Sequence, residues 1–142
     1  MSIARLEDAK KVKTFDLQGD ENGSLTEIHK DGEKTVIYLT TLKAGMFKGY
    51  HLHRVRAARY VCIKGKMKIT LYKAGNTIPE EYILDELNPQ RLFIPNNVAT
   101  GLLNMGDEEA WLINYPDPPY DPTLKDEQVE YTKEELEKGV VK

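Results

Sequence analysis

The chain has 142 residues, 40% hydrophobic and 30% charged, which is enough for one soluble domain with its own core. Its formal charge of −3 gives no overall attraction for nucleic acid or anionic membranes. A single cysteine, Cys62, excludes an intramolecular disulfide and a cysteine-rich zinc site, and a free thiol suits a reducing compartment.

The N-terminal segment, "MSIARLEDAKKVKTFDLQ", lacks the apolar stretch of about 7–15 residues that a secretory signal requires. Nothing in the sequence approaches the roughly 18 consecutive apolar residues of a membrane span. We therefore expect a cytoplasmic protein with a single domain over residues 1–142, without nucleic-acid or membrane partners.

The middle of the chain predicts short strands between turns. "KTVIYLTTL" (34–42) is rich in β-branched and aromatic residues and follows an Asp-Gly turn in "KDGEK". After "MFKGYHLH", the segment "RYVCIKGKMKITLYKAGN" predicts two strands that meet at Gly65. The second of them alternates Met67, Ile69 and Leu71 with polar residues and Tyr72, a period of two.

Further strand-like segments follow at the spacing of about 8–12 residues that is typical of sandwiches and barrels. They are "EEYILDEL", "QRLFIPNN", "TGLLNMGDEE" and "AWLINYP". No segment between residues 20 and 120 carries a helical apolar stripe, so parallel βαβ units are not expected. The pattern predicts an all-β, jelly-roll-like barrel.

Residues 121–142 form an acidic C-terminal extension. The segment "DPPYDPTLKDEQVEY", which leads into this extension, is an acidic connector interrupted by prolines. The following "TKEELEKG" predicts a short helix. Thr132 and Glu135 have capping-box spacing, and Gly139 is placed to end the helix. We expect this helix to be a terminal element with a solvated, charged face and no role in chemistry.

Two of the three histidines, His51 and His53, stand two residues apart in "KGYHLH". On a strand they project to the same face, together with Gly49. Adjacent imidazoles inside a barrel can bind a metal or move protons. They can also be partly exposed strand residues without a function.

The histidine segment, Gly65 and "IPNNVATGLLN" (94–104) resemble the two motifs of the cupin superfamily. In metal-binding cupins, the ligands are two histidines and a glutamate from the first motif and a histidine from the second. Counting from Gly65 and Pro95 places Ala58 and Thr100 at the last two positions. Two imidazoles alone make a poor site for a tightly bound metal, so we expect no metal and no cofactor.

A closer resemblance covers most of the chain. "GSLTEIHKDGEKTVIYLTTLKAGMFKGYHLH", "IKGKMKITLYKAG" and "IPNNVATGLLNMGDEEAWLINYPDPPYDP" resemble the family of dTDP-4-dehydrorhamnose 3,5-epimerase and its shorter members. The resemblance implies a cupin-type jelly-roll barrel with a short C-terminal helix. It also implies a metal-free homodimer that acts on 4-keto nucleotide sugars.

The same resemblance implies roles in proton transfer. A ketone at C4 acidifies the protons on C3 and C5, so that a base can leave an enolate. His51 matches the family's base and Lys48 the cation beside the keto group, while His53 adds a donor or orients the sugar. Tyr115 and Tyr120 are both candidates for the acid.

The resemblance also implies substrate-binding positions. A diphosphate needs cationic partners, and Arg54, Arg56 and Arg59 lie close by in the sequence, although a solvated loop explains the first two equally well. The other positions implied to bind substrate are Tyr60, Thr100 and Asn104. Tyr60 can alternatively fill the lumen, and Thr100 replaces the imidazole of the family's second motif.

The leading hypothesis is metal-free epimerisation or isomerisation of a 4-keto-6-deoxy nucleotide sugar in nucleotide-sugar biosynthesis. The alternatives are a 3,4-ketoisomerase of a nucleotide sugar, a non-catalytic cupin that binds a sugar or nucleotide, and a metal-dependent cupin. Ala58 and Thr100 favour the non-catalytic alternative, because each removes a reactive side chain from the pocket.

Overall fold

The computed structural model describes residues 10–31 and 34–142. These residues form two antiparallel β-sheets that face each other as a jelly roll, with one short helix near the C-terminus. The strands are β1 (Lys11–Phe15), β2 (Glu21–Asp31), β3 (Thr35–Leu42), β4 (Phe47–His53), β5 (Ala57–Lys64), β6 (Lys66–Lys73), β7 (Glu80–Asp85), β8 (Leu92–Ile94), β9 (Val98–Asn104), β10 (Ala110–Asp117) and β11 (Gln128–Glu130). The helix is α1 (Lys133–Glu137).

Sheet A has the strand order β1-β2-β3-β10-β5-β8, and sheet B has the order β11-β4-β9-β6-β7. The all-β, cupin-type jelly-roll prediction is confirmed, with its short C-terminal helix. The predicted Asp-Gly turn falls partly on Gly32 and Glu33, which lie outside the described residues. Within the described ranges, the structure contains no helix with the length and hydrophobicity of a membrane span.

The main core lies between the sheets, where alternate residues of each strand point inward. Met67 and Ile69 of β6 are completely buried there, as their period of two predicts. They pack with Leu42 of β3 and Leu112 of β10, which come from the opposite sheet. This cluster fills the barrel around the β5–β6 hairpin, so the remaining space between the sheets is at the other end.

A second cluster lies on the outer face of sheet B, where the C-terminal extension covers it. Leu136 of α1 and Tyr131 pack on Tyr50, Leu52 and other residues of that face. The capping box of Thr132 and Glu135 is present, and Gly139 has a φ of +70° after the helix. The prediction of a solvated helix is therefore correct for only one side of α1, because the other side is buried against sheet B.

The extension also contains β11, which the sequence pattern treated as a connector. This strand pairs antiparallel with β4 through Val129 and Leu52. It places Gln128 opposite His53 and Glu130 opposite His51. The C-terminal extension thus reaches the strand that carries the histidine pair.

Candidate active site

The open end of the barrel is a cavity lined by polar side chains from both sheets. His51 and His53 enter from β4, and Thr100 of β9 is the register partner of His51. Tyr60 of β5 and Tyr120, which follows β10, line it from the other side. Side chains at alternate strand positions therefore change from apolar in the core to polar in the cavity.

A bulge in β4 brings Lys48 to the same face as the histidines. Lys48 pairs with Leu102 and His51 with Thr100, so β4 holds one residue more than β9 over this interval. Regular alternation predicted Gly49 beside the histidines, and the bulge corrects this. Gly49 has a φ of +130°, and a Cβ there would lie 2.6 Å from the Thr100 carbonyl oxygen. Glycine is thus required for the bulge.

Lys48 crosses from sheet B toward sheet A inside the barrel. Its Nζ donates to the carbonyl oxygens of Ser24 and Thr41 at 3.4 and 3.3 Å. Burial lowers the pKa of Lys48 to about 8, because an ammonium group loses hydration there. Lys48 can therefore act as a cation or as a proton donor near neutral pH.

A carboxylate from β11 orients the His51 imidazole. His51 Nδ1 lies 3.0 Å from Glu130 Oε1, and the amide Nε2 of Gln128 lies 3.2 Å from the same ring nitrogen. We assign the proton to Nδ1, since the Glu130 carboxylate then accepts it and also accepts from the Gln128 amide at 3.3 Å. This tautomer leaves Nε2 of His51 with a free lone pair, as a general base requires.

His53 belongs to a more buried cluster with Arg56 and Glu127. Arg56 Nη2 donates to His53 Nδ1 at 2.8 Å, and Arg56 Nε donates to Glu127 Oε1 at 2.6 Å. Burial first, and then the Arg56 charge, lowers the pKa of His53. His53 is therefore neutral at physiological pH, with its proton on Nε2 available for donation.

Glu127 is the anchor of this cluster. Its side chain is 5% exposed and that of Arg56 10% exposed. Besides the Arg56 guanidinium, its carboxylate accepts the backbone N–H groups of Val55 at 3.1 Å and Arg56 at 3.3 Å. Burial by itself would raise the pKa of Glu127, but these hydrogen bonds outweigh burial and hold the pKa below its usual range.

Replacing Glu127 by alanine should lower the free energy of unfolding by about 3 kcal/mol, because Arg56 would remain buried without a counter-charge. The lowered pKa means that Glu127 stabilises the fold above its unfolded pKa, near 4.3, and that this contribution disappears as the pH falls further. Urea denaturation at pH 7 and below pH 4 checks both statements. Glu81→Ala, at an exposed ion pair with Lys68, is the control and should cost less than about 1 kcal/mol. Equal losses for the two variants would contradict the role of Glu127.

Two residues predicted for the site lie on the outer face of sheet A. Arg59 pairs in register with Tyr115 and with Phe93, and its guanidinium stands 4.9 Å from the Phe93 ring and 5.9 Å from the Tyr115 ring. Their neighbours Tyr60 and Asn114 line the cavity instead. Because successive residues point to opposite faces, neither Arg59 nor Tyr115 reaches the histidines. This corrects their assignment to the site.

Arg54 and Asn104 are also engaged elsewhere. Arg54 donates from Nη1 to the Asp126 carbonyl oxygen and from Nη2 to that of Lys142, so it holds the C-terminal segment. Asn104 lies at the core end of β9, where its amide donates to the Leu42 carbonyl oxygen and accepts from the Gly106 N–H. Both predicted substrate contacts are therefore corrected to structural roles.

The remaining predicted residues do line the cavity. Tyr120 is 54% exposed and lies under the Arg56 guanidinium, 5.1 Å from ring centre to Cζ. Burial raises the pKa of Tyr60 to about 12, so its phenol stays protonated. Thr100 is buried beside His51, and Ala58 packs at the edge of the core.

Sequence reasoning missed the residues that β11, the residue before it and the central strands contribute. They are Tyr38, Asn114, Glu127, Gln128 and Glu130. The sequence indicates Tyr38 only weakly, because it has the same parity as Leu42 within the apolar segment 34–42. Among the described residues, no three histidine, cysteine, aspartate or glutamate side chains are arranged to hold a metal ion.

Residues 18–128 match the family model described as the polysaccharide biosynthesis C-terminal domain. Over 130 residues, the chain is 25% identical to the probable low-salt glycan biosynthesis epimerase Agl13 of Haloferax volcanii, covering 83% of each chain. It is 26% identical over 133 residues to the spore coat polysaccharide biosynthesis protein SpsL of Bacillus subtilis, covering 85% of this chain and 87% of SpsL.

The fold is similar to part of the capsular polysaccharide assembling protein CapF from Staphylococcus aureus. The TM-score is 0.73 at 21% identity, over 85% of this chain and 31% of CapF. This chain therefore spans under a third of CapF, and the likeness concerns the fold alone.

Proposed function

The chain belongs to the polysaccharide biosynthesis C-terminal domain family, and from this premise we propose that it is a sugar-modifying isomerase of polysaccharide biosynthesis. Its substrate is a 4-keto-6-deoxy nucleotide sugar, and the reaction is epimerisation next to the ketone. The names of Agl13 and SpsL support the general role in polysaccharide biosynthesis, since they refer to an epimerase and to polysaccharide biosynthesis. One observation supports the specific reaction, epimerisation next to a ketone. His51, whose Nδ1 is held by Glu130, shares a cavity face with Lys48.

In the proposed reaction, Nε2 of His51 removes the proton from the carbon next to the ketone. The electrons of the C–H bond move to form the enolate, whose negative charge lies on the former keto oxygen. The Lys48 ammonium stabilises that charge by donating a hydrogen bond. Its lowered pKa suits this role, because partial proton transfer to the oxygen then costs less free energy.

Return of a proton to the opposite face of the same carbon inverts the centre. Tyr120 is the proposed acid, since it lies at the cavity mouth with its ring against the Arg56 guanidinium. His53 donates from Nε2 to the sugar, and the Arg56–Glu127 pair holds it in that tautomer.

The proposal is tested by incubating the protein in deuterium oxide with 4-keto-6-deoxy sugars linked to dTDP, GDP, UDP or CDP. We expect deuterium at C3, C5 or both for at least one of them, detected by NMR and mass spectrometry. Exchange without inversion would still show that the protein removes a proton next to the ketone. Complete absence of deuterium from all four would contradict the proposed function.

A 3,4-ketoisomerase is the second candidate, because His51 and His53 lie on one cavity face and can pass protons between adjacent carbons. This reaction moves the ketone from C4 to C3, and the product has a distinct carbon spectrum. A binding protein without catalysis is favoured by Thr100, whose hydroxyl cannot become charged near neutral pH. It would show ligand-dependent thermal stabilisation without deuterium exchange.

The proposal includes a homodimer, with a second copy on the outer face of sheet A. Leu39, Ile113 and Val61 form one row across three strands of that face, next to exposed Ile63 and Phe93. A sheet face of this composition is normally covered. Sedimentation equilibrium at micromolar concentration measures the mass, and a monomer would contradict the dimer.

A further inference from the structure

A row of polar residues crosses the inner face of sheet A at the level of the cavity. Glu27, Tyr38, Asn114 and Tyr60 are successive register partners on β2, β3, β10 and β5. All four line the cavity. On β10, the inward position two residues earlier is the core residue Leu112, so the wall changes from apolar to polar at Asn114.

Asn114 is distinguished by a buried acceptor. Its Oδ1 is inaccessible to solvent and has no hydrogen-bond partner among residues 10–31 and 34–142. Buried side-chain oxygens in proteins are nearly always bonded, because leaving one unpaired forfeits its hydration. Asn104, an inward-facing asparagine at the core end, follows this rule through its bonds to Leu42, Glu108 and Gly106. The two asparagines therefore differ in partners, not in chemistry.

We infer that Asn114, a half-buried residue of the cavity wall, is a specificity-determining residue whose amide turns when substrate binds, so that Oδ1 accepts a hydrogen bond from a ring hydroxyl of the sugar. This inference rests on the proposed function and adds the orientation of the substrate. An amide oxygen only accepts, so it selects a hydroxyl and not the keto oxygen. The keto oxygen belongs at Lys48 on the opposite sheet, where a donor is present. The ring is thus held between the Asn114 wall and the histidine strand.

Tyr38 and Tyr60 complete this wall as its neighbours on either side. Burial raises the pKa of both phenols, for Tyr38 with a further contribution from the Glu27 charge. Both hydroxyls therefore remain protonated at neutral pH and can donate as well as accept. A sugar that lacks the matching hydroxyl would leave Asn114 unpaired and would therefore bind more weakly. Buried polar groups discriminate against analogues in this way.

The test uses Asn114→Ala with Asn104→Ala as the matched control. Binding of dTDP-glucose, UDP-glucose, dTDP and UDP is measured by calorimetry on the full chain. In the wild type, we expect at least one nucleotide sugar to bind more tightly than its nucleoside diphosphate. Asn114→Ala should weaken the binding of that nucleotide sugar about tenfold, as expected for one buried hydrogen bond. The affinity for the nucleoside diphosphate should not change. Its Tm should fall less than that of Asn104→Ala, because no protein partner of Oδ1 is lost.

Other outcomes overturn the inference in distinguishable ways. Unchanged affinity of Asn114→Ala for the nucleotide sugar would exclude the hydroxyl contact while the proposed function stands. A Tm loss equal to that of Asn104→Ala would show that Asn114 is structural. If none of the four compounds binds the wild type, the inference fails, whereas the proposed function is decided separately by deuterium exchange with the four 4-keto sugars.

Discussion

Replacing His51 by glutamine should lower the rate of deuterium incorporation into the sugar about 10³-fold, because glutamine cannot take up the proton. Glutamine keeps a polar side chain of similar reach opposite Glu130, so the barrel should stay folded. The measurement is the initial rate of exchange at C3 and C5 by NMR, with the unfolding transition recorded for each variant. Affinity for the nucleotide part should change little, since His51 is expected to contact the sugar.

The chain offers its own control for this experiment. His29 of β2 is exposed and lies outside the cavity lining, so His29→Gln should exchange at the wild-type rate. Glu130→Gln should give an intermediate loss, because it removes the carboxylate that accepts from Nδ1. Retention of fast exchange in His51→Gln, together with its loss in His53→Gln, would assign the base to the other histidine.

Replacing Lys48 by methionine should make the protein more stable and much less active. The enolate would lose its cation, and removal of such a donor costs about 10²–10³ in kcat. At the same time, the free energy of unfolding at pH 7 should rise by about 2 kcal/mol, because a charged group no longer has to be buried. A gain of stability with a loss of function is the signature of a residue kept for chemistry.

The lowered pKa of Lys48 also determines how this stability difference changes with pH. The folded protein releases the Lys48 proton near pH 8, whereas the unfolded chain holds it to about 10.5. The cost of burying Lys48 is therefore complete below pH 8 and disappears as the pH rises toward 10.5. The stability difference between Lys48→Met and the wild type should shrink over that interval in urea denaturation. Lys68→Met, at a half-buried lysine paired with Glu81 on the outer face of sheet B, is the matched control for loss of a lysine charge. A Lys48→Met variant that is less stable than the wild type at pH 7 would contradict the prediction.

Most of the fold can be read from local patterns. The alternation in β6, the turn at Gly65 and the capping box of Thr132 each depend on residues within a few positions of one another, and all are present. The histidine strand belongs to the same class, because two residues at i and i+2 share a face whatever surrounds them. Motif spacing could therefore point to His51 and His53 without a structure.

The partners of the histidines could not be predicted in this way. Glu127 and Gln128 lie 74 and 77 positions from the histidines that they contact. Gln128 begins β11, a strand of only three residues inside an acidic, proline-containing segment, and Glu127 immediately precedes that strand. Such a strand has almost no periodic signal, because its conformation is imposed by the edge of β4 and not by its own composition.

The sequence pattern alone also could not settle to which face of the sheet each side chain points. Residue types and local spacing are enough to specify an all-β barrel, a capped terminal helix and a histidine pair on one strand, since these follow from periods of two and from turn chemistry. Which residues join that pair depends on register. The bulge at Gly49 turns Lys48 toward the histidines, and the pairing of β5 with β10 sends Arg59 and Tyr115 outward. A shift of one residue reverses every side chain of a strand, and only the packed sheets select one register over the other.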